Sequence, residues 1–298
     1  MIERLEQIEE FVSGKNIGRI AVAAAHDENV LVSIKQIFDK GYANPILIGD
    51  KEKIFRIAEK YGIDISQMDI IKETDDAQSA RIAVNLVNGG EADVLMKGHM
   101  QTAELLRVVL DKEKGIRSNR VLSHVGIFEV ESYHKLLFVT DAGINISPDL
   151  KQKVEIIQNA VYVANRLGIF NPKVAVLAAV EVVNPAMHST VDAAALSKMA
   201  QRGQINNCIV DGPLAMDNAI NLDAALHKHI ESEVAGDADI LVVPNIEAGN
   251  ILVKSLVFLY KAKTCSVLTG AKAPLVVTSR AESSMTKYFS ILLALSMR

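Results

Sequence analysis

Short apolar runs alternate with longer amphipathic stretches along most of this chain, and that rhythm predicts its architecture. Gly18–Ala25 (GRIAVAAA) is almost wholly apolar, and Glu28–Lys40 then carries Leu31, Ile34, Ile37 and Phe38 at the spacing of a helix that buries one face. Pro45–Ile48 predicts a second strand, ended by Gly49-Asp50, and Lys51–Tyr61 a second helix. Strands near Met68–Ile71 and Asp93–Met96 alternate with helices over Ala77–Asn88 and Thr102–Leu110. Short buried strands separated by helices predict βαβ units and a mainly parallel sheet. Val121–Val130 and His134–Val139 break the rhythm; only Glu131-Ser132-Tyr133 separates them, which predicts an antiparallel hairpin. Leu150–Leu167 reads as a long helix stopped by Gly168 and Pro172. Strands near Val174–Ala178, Cys208–Val210, Ile240–Val243 and Ser266–Leu268 restore the alternation, and a last strand and helix fill Pro274–Met297. The turn at Asp141-Ala142-Gly143 is the expected domain junction.

Composition narrows the function classes. The 298 residues are 49% hydrophobic and 23% charged, ample for a large core in one or two domains. A net charge of −4 argues against nucleic acid, whose binders need a surplus of Lys and Arg. No apolar run reaches the roughly 18 residues of a membrane span. Neither a signal peptide nor a paired cysteine framework is visible, so a reducing cytoplasm is expected, with Cys208 and Cys265 as buried thiols.

Candidate chemistry clusters after predicted strands. Pro274–Val277 is followed by Thr278-Ser279-Arg280. The carboxyl edge of an open α/β sheet is where ligands bind, and an arginine fork there suits phosphate oxygens. Lys97-Gly98 follows another strand, and reads either as a turn with a solvated lysine or as an anion contact. Thr102 opens a helix whose free N–H groups favour anions, with Arg107 further along it. Asn245, Glu247, Gly249 and Asn250 form a strand-to-helix turn with Asn245 as its cap, and Asp141 and Asn145 flank Gly143 in another turn. His26-Asp27 ends the first strand. The seven histidines make no metal pattern: His227 and His229 diverge on a helix. Ser13-Gly14-Lys15-Asn16 lacks the first glycine and the final hydroxyl of a P-loop, and no G-x-G-x-x-G follows a strand.

Three segments carry a resemblance: Asp93–Thr102 (DVLMKGHMQT), Thr140–Asn145 (TDAGIN) and Ala235–Ser255 (AGDADILVVPNIEAGNILVKS). Together they resemble the phosphate acetyl/butyryltransferase family, from about Ile20 to the C-terminus. Leu95-Met96-Lys97-Gly98 and Ser123-His124-Val125 look like its butyryl branch. The resemblance implies a two-domain α/β/α sandwich with mainly parallel sheets, of the isocitrate/isopropylmalate dehydrogenase-like type. Residues 1–142 with 268–298 would form one domain and 143–267 the other, with the active-site cleft between them. It implies exchange of CoA and phosphate on a short-chain acyl group, such as butyryl, by direct transfer in a ternary complex. Acyl-CoA, CoA, phosphate and acyl phosphate would be the small-molecule partners, with CoA as substrate and neither a tightly bound cofactor nor a metal. Ser279 and Arg280 would be catalytic. Lys97, Thr102, Arg107, Asp141, Asn145, Asn245, Gly249 and Asn250 would bind substrate. A homodimer is expected from the family and from the apolar stretch Ile251–Tyr260. One position departs from the pattern: the acetyl branch carries an Asp seven residues after the Ser, as the proposed base for the CoA thiol, and here that position is Thr286. The departure leaves the base unassigned and keeps two rivals open, a non-catalytic CoA-sensing regulatory module of the same fold and a dehydrogenase. Against the dehydrogenase, the chain shows no clear carboxylate trio.

Overall fold

A computed structural model describes residues 2–279 and 281–298. After a 3-10 turn at Leu5–Phe11 come β1 (Gly18–Ala23), α1 (Glu28–Asp39), β2 (Ala43–Gly49), α2 (Lys51–Tyr61), β3 (Asp69–Lys72), α3 (Asp76–Asn88), β4 (Val94–Lys97) and α4 (Thr102–Val109). The hairpin follows as β5 (Ser123–Glu129) and β6 (Leu137–Thr140). Then come α5 (Leu150–Arg166), β7 (Lys173–Leu177), α6 (His188–Gln201), β8 (Ile209–Leu214), α7 (Met216–Ile220) and α8 (Leu222–His227). The chain closes with β9 (Ile240–Val242), α9 (Ile246–Phe258), β10 (Lys263–Thr269), β11 (Leu275–Val276) and α10 (Ser284–Ser296). Helix starts fall where the sequence supplies acceptors: Asp27, Asp50 and Asp75 each take a first-turn N–H of α1, α2 and α3. Asp149 and Gln152 cap α5 reciprocally. No helix among the described residues is long and apolar enough to cross a membrane.

The chain divides into two compact units. One comprises Ile8–Arg120 and Cys265–Arg298, with strands in the order β3-β2-β1-β4-β11-β10. All neighbours in it are parallel except the β10–β11 pair. Ile20, Val22, Leu47, Leu95 and Leu275 are fully buried there. Strands covered on both faces lose the in–out alternation, which is why they read as continuous apolar runs. Every residue of α10 from Lys287 to Ser296 is buried, so this helix is a core element and packs along α1.

The other unit comprises residues 2–7 and Val121–Thr264, with the order β5-β6-β9-β7-β8. The expected hairpin is present, with Gly126 opposite Val139 in antiparallel register. The expected junction after Ala142 moves to residue 120, because β6 pairs in parallel with β9 (Phe138 with Ile240) and carries β5 with it. An ion network ties the entry of this sheet together. The buried Lys135 ammonium lies 2.7 Å from Asp239 and 2.9 Å from Asp237, just before β6 and β9. Asp237 also pairs with Lys173 at the start of β7 and with His134. Asp239 accepts the Lys173 N–H at 2.7 Å.

Burial pushes the Asp237 carboxyl up, but Lys173, Lys135 and His134 outweigh it and hold the group well below the carboxylate range. A depressed carboxyl stabilises the fold above its unfolded pKa of about 3.9, and that contribution is lost as pH falls through the native value. The Asp237 side chain is 38% exposed, so solvent screening discounts the interaction. Asp237→Asn is therefore expected to lower the melting temperature at pH 7 by about 2–4 °C, the effect of roughly 1 kcal/mol in a unit of this size. Thermal scans from pH 7 to pH 3 should show this gap shrink as the wild type loses its advantage. A pH-independent gap would contradict the assignment.

Candidate active site

Parallel pairing places the ends of β1, β4 and β11 side by side. Ala23 is opposite Lys97, and Val276 is opposite Met96. The chain order reverses between β1 and β4, since β2 and β3 continue to one side and β4 starts the other. Such a switch point opens a crevice at the carboxyl edge of the sheet. The loops meeting there are Ala24-Ala25-His26 after β1, Gly98-His99-Met100-Gln101 after β4 and Val277-Thr278-Ser279 after β11. The first two are bonded to each other: Gly98 N–H donates to the Ala23 carbonyl at 2.8 Å and His99 N–H to that of Ala24 at 2.7 Å. A Cβ on Gly98 would fall 2.7 Å from the Ala23 oxygen and closer still to that of Ala24, so only glycine permits this crossing.

Several sequence candidates of this unit gather here. Lys97 is buried and donates to the carbonyls of Gly98 and Met100, both at 3.2 Å, so its charge sits inside the loop rather than on a solvated tether. Thr102 is the exposed first residue of α4, and Gln101 before it makes no side-chain cap bond. The N–H groups of that first turn are not capped by Gln101, an arrangement that favours an anion. Arg107 is exposed in the last turn of the same helix, away from its N-terminus. Ser279 is exposed at the end of the β11 loop. Arg280 lies outside the described residues. The His26 and His99 rings lie tilted against each other, with centroids 5.3 Å apart. Burial holds the His26 imidazole below its ordinary value, against the opposing pull of Asp76.

The remaining candidates belong to the other unit, after β6 and β9. Asp141 is buried and uses both oxygens locally: Oδ1 accepts from Gly143 and Ile144 N–H, and Oδ2 from the Asn145 N–H and amide. Asn145 also donates to the Leu122 carbonyl at 2.9 Å. Each oxygen of this carboxylate thus accepts two hydrogen bonds from its own turn, which it shapes. Asn245 caps α9 through the Ala248 N–H at 3.0 Å, as the turn reading expects. Gly249 is buried where α9 crosses the Asp141 loop; a Cβ there would lie 2.7 Å from Val243 and 2.9 Å from the Ala142 backbone. Asn250 is exposed one residue on. His124 lies against Gly143, and burial holds its imidazole below the ordinary value, with Asp141 opposing and Lys254 reinforcing.

Some features were missed in the sequence. Lys287 is buried beneath the Ser279 loop, and its signal was a lone cation opening the otherwise apolar run of α10. His99 lies within the Asp93–Thr102 segment, but nothing in its sequence context signals the contact with His26. The cysteines differ from each other: Cys265 is fully buried, whereas Cys208 is half-buried with its thiol pushed up to about 11. Among the described residues no group of three or more His, Cys, Asp or Glu could hold a metal ion.

Known proteins place this architecture. The chain is 48% identical over 294 residues to the phosphate butyryltransferase of Clostridium acetobutylicum, covering 99% of this chain and 98% of that protein. It is 46% identical over 290 residues to the phosphate acetyltransferase of Thermotoga maritima, covering 97% and 98%. The crystal structure of a branched-chain phosphotransacylase from Enterococcus faecalis V583 superposes with a TM-score of 0.81 at 33% identity, over 94% of this chain and 99% of that one. The sequence pattern of the phosphate acetyl/butaryl transferase family matches residues 4–81 and 76–295, and the chain belongs to that family.

Proposed function

We propose that the protein exchanges CoA and phosphate on a short-chain acyl group, with butyryl-CoA and phosphate giving butyryl phosphate and CoA. The observation that carries this reading is the meeting of Lys97, the open α4 N-terminus and the Ser279 loop at one sheet edge, in a chain with phosphate acyltransferases as full-length relatives. A phosphate oxygen attacks the thioester carbonyl, whose oxygen becomes an oxyanion. The C–S bond then breaks, and CoA leaves as a thiolate that takes a proton. Both substrates are bound together, so no covalent acyl-enzyme is needed.

In this reading Arg280 holds the phosphoryl oxygens, and Ser279 donates a hydrogen bond to the charge that develops during transfer. Lys97 and the first turn of α4 at Thr102 supply positive potential, with Arg107 assisting. Asn145, Asn245, Gly249 and Asn250 serve substrate binding, and Asp141 serves it by holding the Asn145 turn. No carboxylate is needed at Thr286. A thiol with a pKa near 8.5 costs only about 2 kcal/mol to ionise at pH 7, and nearby cations lower that further. A cytoplasmic location belongs to the same reading. A second copy of the chain is the proposed cover for α9 and the residues that follow it, where Ile251, Phe258, Leu259 and Tyr260 are all at least 66% exposed.

CoA release from acetyl-, butyryl- and isovaleryl-CoA, with and without phosphate, tests the reaction. Phosphate-dependent release with the highest kcat/KM for butyryl-CoA is expected. CoA binding without release would point to the sensing module instead. Ser279→Ala should lower kcat by about 10²–10³ with little change in phosphate KM, as for a donor used in the transition state. Arg280→Ala should lower kcat/KM for phosphate by about 10–100-fold, and Arg280→Lys by less, because lysine keeps the charge without the bidentate fork. Near-normal kcat/KM in Arg280→Ala would remove that residue from the mechanism. Sedimentation at micromolar concentration should give a dimer; a monomer would leave the α9 face unexplained.

A further inference from the structure

Lys287 is a cation where the fold has no obvious use for one. It opens the fully buried stretch of α10 and is itself only 2% exposed. A buried ammonium is costly unless its donors are satisfied. Its Nζ donates to the Ser279 carbonyl at 3.0 Å and to the Glu282 carbonyl at 3.2 Å; burial holds its pKa below the ordinary lysine value, with the Asp27 and Glu282 carboxylates opposing. Ser279 is held from its other side as well. Its N–H donates to Glu282 Oε2 at 3.0 Å, and its carbonyl accepts the Glu282 N–H at 3.2 Å. The backbone of one exposed serine is thus gripped at both its donor and its acceptor, by side chains from the loop and from a core helix. Ser283 fixes the end of the loop by capping α10 through the Thr286 N–H at 3.1 Å.

We propose that Lys287, together with Glu282, is a positioning residue that clasps the Ser279 backbone to α10 and so holds the Ser279 hydroxyl in its working geometry. The inference rests on the reading that Ser279 serves acyl transfer. A clasp to a fully buried helix gives the loop a rigid reference that its own exposed residues cannot. A displacement of about 1 Å at such a donor can cost on the order of 10² in rate.

The test compares Lys287→Met, Glu282→Ala, Ser279→Ala and the Lys287→Met/Ser279→Ala pair in butyryl-CoA:phosphate exchange, with far-UV circular dichroism as the fold control. Lys287→Met should lower kcat by about 10–100-fold with the butyryl-CoA KM changed by less than about 3-fold. In the Ser279→Ala background the same substitution should cost nothing further, because its effect acts through that serine. A merely structural lysine would multiply its loss onto that of Ser279→Ala, and that result overturns the proposal. So does a Lys287→Met kcat within about 2-fold of wild type beside a crippled Ser279→Ala. Should Lys287→Met fail to fold, Glu282→Ala decides by the same criteria, since it releases the other half of the clasp from a half-buried position. Full activity in Ser279→Ala would instead remove that serine from the reaction, and the inference with it.

Discussion

Parallel hydrogen bonding among β1, β4 and β11 is the constraint on which the candidate site depends. Parallel strands share a direction, so their carboxyl ends and the loops that follow emerge together. Lys97 and the Ser279 loop are neighbours for that reason, although they lie far apart along the chain. The β1–β4 contact is close enough that Gly98 must pass against the carbonyls of Ala23 and Ala24. Bonds from the Gly98 and His99 N–H groups then lock the two loops to each other. The placement of the anion-favouring groups follows from strand register, with side-chain chemistry acting on a frame already set.

In this protein the polar residues around the strand ends are largely spent on backbone. Lys97 binds carbonyls of its own loop, Asp141 receives N–H groups of its own turn, Asn245 caps α9, and Lys287 binds the Ser279 loop. Loops carrying function need such fixing, because buried backbone groups left unpaired are expensive and a loosely held donor loses its value in a transition state. The opposite, entry edge of the β6–β9–β7 sheet uses charge differently. Lys135, Asp237, Asp239 and Lys173 pair there across three strands, and the network stitches the sheet together away from the loops that follow the strands. Perturbed titration marks both kinds of place, so geometry is needed to tell them apart.

Much of the architecture was legible in sequence because it is local. Apolar runs bounded by glycine or aspartate became β1, β2 and β4, and spacing in Leu31, Ile34 and Ile37 became the buried face of α1. The hairpin was legible from the short gap between its strands, and the Asn245 cap from its position after Pro244. The unit boundary was not, since it depends on β6 choosing β9 as neighbour, a pairing no window of sequence contains.

The sequence by itself thus determined the order of strands and helices, their caps and the set of polar residues at strand ends, because periodicity and capping are properties of neighbours along the chain. Only the tertiary structure decided which of those residues meet and which atoms they have left to offer. It showed that the Asp141 oxygens are already engaged, that Lys97 is drawn inward, and that Lys287, unremarkable in a list of residues, lies under Ser279. The physical reason is that hydrogen-bond capacity and burial are set by what packs against a group from elsewhere in the fold.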